Sequence, residues 1–134
     1  YFDKPASHFV ASLVSKVYNL KEGQPLVLWG TGKPLRQQLF VDDLSGIIPV
    51  LLCHHNCNSP IIVAPGENLS INSMAEILRE ISGKNFDINY NQKLDGQFRK
   101  DGDNEGILKL MGGYEFTPFA KGIKTTYEWY KENR

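Results

Sequence analysis

The run Trp29-Gly30-Thr31-Gly32-Lys33-Pro34-Leu35-Arg36 sets an aromatic ring, a turn of small residues and one fixed cation, Arg36, between two apolar, strand-like runs. An indole face packs on a base or a sugar, and a guanidinium grips a diphosphate through two parallel hydrogen bonds. The same residues also suit a plain tight turn, with Trp29 in a core and Arg36 in solvent. Spacing alone leaves both readings open. The Gly-x-Gly is not a dinucleotide fingerprint, because no third Gly follows and Pro34 interrupts the helix that should begin there. Nor is it a phosphate-binding loop of the Walker kind, since Lys33 precedes Pro34 rather than Ser or Thr.

Four further groups could do chemistry. His8 and Lys16 are eight residues apart on the first predicted helix, a little over two turns, so they project from similar faces. Imidazole is the side chain that exchanges protons near neutral pH, which makes His8 a candidate acid. Asp95-Gly96-Gln97-Phe98-Arg99-Lys100 reads as a turn followed by two adjacent cations. It is a solvated loop unless it faces the cleft that holds Arg36. Cys53-His54-His55-Asn56-Cys57 has the look of a zinc cluster, but a structural site needs a second ligand pair, and His8 is the one remaining His or Cys. No metal is expected there. Tyr127 and Lys131 form a literal Tyr-x-x-x-Lys, yet Tyr127 falls on an apolar helical stripe, which predicts a core tyrosine and a solvated lysine.

The elements that must position these groups follow from periodicity. Ser7 caps a helix carrying Phe9, Val10, Leu13, Val14 and Val17 and ending near Asn19. Pro25 to Trp29 reads as a buried strand, Gly30 to Pro34 as a turn, and Gln37 to Val41 as a second extended piece. Asp42 is expected to cap a helix running through Leu44, Ile47 and Ile48 toward Leu52, with Pro49 kinking or stopping it. Pro60 to Ala64 is β-branched and predicts a strand. Ser70, or Ser73 paired with Glu76, opens a helix with a stripe of Met74, Ile77, Leu78 and Ile81 that ends at Gly83. Phe86 to Tyr90 alternates as a strand. A short helix ends at Gly112-Gly113, and Thr117-Pro118 opens the last, lined by Phe119, Ile123, Tyr127 and Tyr130. The alternation argues an α/β fold with few strands for its amphipathic helices.

A chain of 134 residues suits a single domain spanning 1–134, and its zero net charge removes any bulk attraction for nucleic acid or an anionic membrane. An anion must therefore be held by a few placed cations. The longest apolar stretch, Gly46 to Cys53, falls far short of the ~20 residues that span a bilayer. Two cysteines make no disulfide framework, and no charged segment precedes an apolar one at the start, so a cytoplasmic setting is expected. The chain begins at Tyr1 without Met, which suggests a partial product.

Taken together and in order, Ser7-His8, Leu28 to Arg36, Val41-Asp42-Asp43-Leu44, Asp95 to Lys100 and Thr125 to Tyr130 resemble the GDP-L-fucose synthase family of the extended short-chain dehydrogenases. These enzymes epimerise and reduce GDP-4-keto-6-deoxy-mannose. The resemblance runs nearly end to end and implies roles. Trp29 and Arg36 match residues that contact GDP, Lys16 and Lys100 match basic residues at the diphosphate, and His8 matches the acid that protonates the sugar. It also implies NADP(H) and a homodimer for the complete enzyme. The family's cofactor domain is missing, together with its Tyr-x-x-x-Lys pair and its cysteine base, whose place neither Cys53 nor Cys57 takes. The expectation is a GDP-sugar-binding portion without turnover of its own, whose Asp42–Leu52 helix exposes an apolar face that favours self-association. A related nucleotide-sugar epimerase or dehydratase, and a non-enzymatic binding module, stand as alternatives.

Overall fold

Three amphipathic helices supply most of the core, and the first of them walls one side of a cleft. In this computed structural model, which describes residues 2, 8–92 and 94–134, α1 (Phe9–Asn19) buries Leu13, Val14 and Val17. The i, i+1, i+4 spacing puts these three on one stripe. Two later helices, α3 (Ile71–Ser82) and α5 (Phe119–Glu132), meet it with Met74, Ala75 and Leu78 and with Phe119, Ile123, Tyr127 and Tyr130. Each fully buried aliphatic side chain here contributes about 1.5–3 kcal/mol of transfer free energy before entropy is counted. α3 begins where Ser70 Oγ accepts the Ser73 amide at 3.0 Å, so Ser70 is the cap and Ser73 is not. It ends at Gly83, whose φ of +65° is the left-handed stop expected of Gly.

The strands are short. β1 (Leu26–Leu28) pairs in parallel with β4 (Ile88–Tyr90), Leu26 opposite Ile88. β2 (Leu35–Arg36) lies at the centre of a second sheet, antiparallel to β3 (Leu69–Ser70) and parallel to β5 (Arg99–Lys100). α2 (Val41–His54) and α4 (Glu105–Met111) complete a mixed α/β arrangement. Residues 26–28 are not wholly buried: Leu26 and Leu28 face the core, and Val27 stays half exposed, as an edge with period two requires.

Several expectations shift. The Ser7 cap lies outside the described residues, and the capping position of α1 is His8. The second extended piece forms its ladder at Leu35–Arg36, not over 37–41, and Phe40 is the residue before α2, with Asp42 in the first turn. Pro49 does not stop α2; it lies on the exposed face, and Ser45, whose carbonyl loses its donor, is exposed as well. Residues 60–64 form no strand. Ile62 instead rests on Gly102, where an added Cβ would come within 2.6 Å of Ile62 Cγ2. α5 starts one residue later than Thr117 would place it, because Thr117 serves Asp43.

Candidate functional site

His8, Lys16, Trp29 and Arg36 line one cleft of about 990 Å³. α1 supplies His8 and Lys16 along one side, and the turn between β1 and β2 supplies Trp29 and Arg36. Trp29 is 67% exposed and lines the cleft, which removes the reading of it as a core residue. Lys16 Nζ donates to the Val27 carbonyl at 3.3 Å, which holds the ammonium beside the indole's own strand.

Arg36 is held in place by main chain. Its Nη1 donates to the Leu35 carbonyl at 2.6 Å and the Phe98 carbonyl at 3.4 Å, and its Nη2 to the Gln97 carbonyl at 2.8 Å. A guanidinium carries five N–H groups, so these three bonds leave two on a residue that lines the cleft. Such preorganisation fixes the direction in which an anion is met.

The turn between Trp29 and Arg36 depends on two glycines. Both Gly30 and Gly32 have φ of +77°. A Cβ on Gly30 would strike the Asp95 carboxylate, and one on Gly32 the Tyr90 ring. The close approach at Gly30 lets Asp95 accept the Thr31 amide at 2.9 Å and the Thr31 hydroxyl at 2.6 Å. These bonds, the hydroxyl first, hold the Asp95 carboxyl below its ordinary range, with Lys33 and Arg36 adding a smaller pull. Asp95 therefore lines the cleft as an ionised group already turned onto Thr31.

Lys100 stands apart from the other four. In register it pairs with Arg36, one strand away, yet it lines a neighbouring cavity of about 680 Å³ with Gln37 and Arg99. The cleft thus gathers the indole, the guanidinium, one ammonium and the imidazole, and the second ammonium lies beside it.

Sequence reasoning missed three supports. Gln37 bridges two loops, donating to the Pro65 carbonyl at 2.7 Å and accepting the Gly102 amide at 2.7 Å. Lys84 Nζ donates to the carbonyls of Val17, Tyr18 and Leu20, which closes the C-terminal end of α1. Asp43, buried on α2, accepts from the Tyr114 hydroxyl and from both the amide and the hydroxyl of Thr117. No periodicity marks such contacts. The signal available was a polar residue on an otherwise apolar segment.

The other motifs resolve otherwise. Cys57 Sγ lies 3.8 Å from the His55 ring, whose Nε2 meets the Ser59 carbonyl at 2.8 Å, and both cysteines are exposed. Among the described residues no group of three or more His, Cys, Asp or Glu could hold a metal. Tyr127 is buried, which raises its hydroxyl pKa, the direction opposite to that of an activated proton donor. No helix of the described residues is long and apolar enough to cross a membrane.

With this geometry in hand, the chain compares with known proteins as follows. No family model matches it. The probable GDP-L-fucose synthase 1 of Oryza sativa subsp. japonica is 33% identical over 135 residues, covering 98% of this chain and 41% of the relative. The GDP-L-fucose synthase of Dictyostelium discoideum is 34% identical, covering 94% and 41%. The chain thus spans about two fifths of the length of these curated relatives. Among solved structures, a GDP-L-fucose synthetase from Naegleria fowleri bound to NADP superposes with a TM-score of 0.92 at 29% identity, covering 98% of this chain and 42% of that one. A UDP-N-acetylglucosamine 4-epimerase from Methanobrevibacter ruminantium, in complex with UDP-N-acetylmuramic acid, shares the fold with a TM-score of 0.84 at 19% identity. The mixed α/β arrangement is that of part of an extended short-chain dehydrogenase.

Proposed function

We propose, from a chain homologous to GDP-L-fucose synthases over nearly all its residues, that it holds a GDP-sugar in the cleft between α1 and the β1–β2 turn. It would be the substrate-binding portion of an NADP-dependent enzyme that epimerises and reduces GDP-4-keto-6-deoxy-mannose to GDP-L-fucose. The observation that carries this reading is the convergence of His8, Lys16, Trp29 and Arg36 on one cavity. Each answers a different part of such a ligand. The indole face receives the nucleoside, and the ammonium and guanidinium offset the diphosphate charge. Lys100, one strand from Arg36, reaches the same anion from the adjoining cavity. His8 is exposed on the cleft wall, where its imidazole can deliver a proton to the sugar during epimerisation.

The Gly30–Gly32 turn is not a dinucleotide cradle. A pyrophosphate of NADP is received where a Gly-rich turn runs from a strand into a helix N-terminus. Here the Gly30–Gly32 turn runs from β1 into β2 instead. The part assigned to these residues is to bind and orient the sugar nucleotide and to protonate it.

Calorimetry with GDP, UDP and dTDP derivatives tests the assignment. GDP-mannose should bind, and Arg36→Ala should weaken it at least tenfold, with the loss shrinking as salt rises. Equal binding of all three nucleotides, or no dependence on Arg36, would overturn it.

A further inference from the structure

The backbone after β2 is extended, and its side chains alternate between two cavities. Arg36 and Gln38 line the main cleft, whereas Gln37 and Leu39 line the 680 Å³ cavity, Leu39 also reaching a 140 Å³ pocket that Gln38 shares. That is the period of two that extended backbone imposes. Gln37 is occupied by Pro65 and Gly102, and Gln38 faces the other way.

The cleft has two distinct ends. α1 runs along it, and the eight residues between His8 and Lys16 correspond to about 12 Å of helix rise. At one end, Lys16 and Trp29 continue into a cavity of about 420 Å³. At the other, Val10 and Gln38 continue into a pocket of about 140 Å³ that Phe119 and Ile123 help to line. Gln38 therefore sits away from the indole, on the side of the cleft where α1 begins. The chemistry differs along the same axis. Lys16 and Arg36 are cations and suit phosphate oxygens. Gln38 is a neutral amide with two donors and one carbonyl acceptor, which suits hydroxyls on neighbouring carbons.

We infer that Gln38 contacts the hydroxyls of the sugar ring and sets the cleft's preference for a nucleotide sugar over the bare nucleotide; this rests on the nucleotide-sugar reading above. Gln38→Leu removes the amide while keeping a side chain of similar bulk. Calorimetry with GDP and with GDP-mannose gives the ratio of the two dissociation constants. The parent chain should favour GDP-mannose, and the leucine variant should cut that preference roughly three- to tenfold, the worth of one or two neutral hydrogen bonds. Gln38→Asn, which keeps a shorter amide, should recover part of it. Gln38→Met carries the same comparison if the leucine variant does not fold. A ratio that stays unchanged, a parallel loss for both ligands, or a parent with no preference would overturn the inference. A parent that binds neither ligand overturns the nucleotide-sugar reading itself, a failure visible before any variant is made.

Discussion

Gly32→Ala should destabilise the chain more than an alanine at any open turn, and the excess is set by one aromatic ring. Gly32 and Gly23 have nearly the same backbone, with φ of +77° and +76°. An alanine at either position costs about 1–2 kcal/mol for the left-handed conformation. The surroundings differ. Gly23 has no atom within 4 Å of an added Cβ, whereas at Gly32 the Cβ would lie 2.6 Å from Tyr90 Cζ and 2.9 Å from its hydroxyl oxygen. Tyr90 ends β4 and bonds to Asn72, and the Asn72 amide in turn donates to the Gly32 carbonyl at 2.9 Å, so the ring cannot retreat without loosening the start of α3. Overpacking of this kind costs about 1–3 kcal/mol. At about 4 °C per kcal/mol for a domain of this size, Gly23→Ala should lower Tm by roughly 4–8 °C, and Gly32→Ala by roughly 4–12 °C more. Thermal unfolding followed by circular dichroism measures both. In a Tyr90→Ala background the two alanines should cost the same, because the colliding ring is gone. If Gly32→Ala melts within about 2 °C of Gly23→Ala in the parent background, the steric account of this turn is wrong.

Other consequences are open to direct measurement. Ser70→Ala should cost about 1 kcal/mol through the lost cap on α3, read as a lower urea midpoint at unchanged slope. Asp95 has a folded pKa below its ordinary value near 3.8, so its stabilising effect is complete above that value and is lost as pH falls through the depressed one. A Tm-against-pH profile should therefore decline on the acid side, and Asp95→Asn should flatten that limb; an unchanged limb would remove Asp95 as its source. The exposed Val41, Ile48 and Leu52 of α2 should make the chain associate as concentration rises, and a clean monomer by light scattering at high concentration would count against this.

The helices were legible because burial leaves a periodic trace. Met74 and Leu78 on α3, and Phe119, Ile123, Tyr127 and Tyr130 on α5, lie in the core as their spacing required. The cleft was legible only as residue types: nothing local says that Lys16 and Arg36 share a cavity, since that depends on how α1 packs on the β1–β2 unit. Residues 60–64 misled because β-branched composition reports a preference for extended backbone, and a strand also needs a partner edge. Asp43 and Lys84 were invisible for a related reason. Their partners are main-chain and hydroxyl groups far along the chain, and no composition rule records them.

The long-range ties described above bear on how the molecule is made. The Asp95 carboxylate that receives the Thr31 amide lies 64 residues along the chain from it, and the Lys84 ammonium that donates to the Val17 carbonyl lies 67 residues from it. Loop closures of that length must be won before the contacts reward them, which slows folding relative to a helical bundle of equal size. A nascent chain emerging from the ribosome would present its aromatic, cationic turn long before the segment that buttresses it has been synthesised. The cleft is in this sense incomplete until Asp95, 64 residues beyond Thr31, has been made.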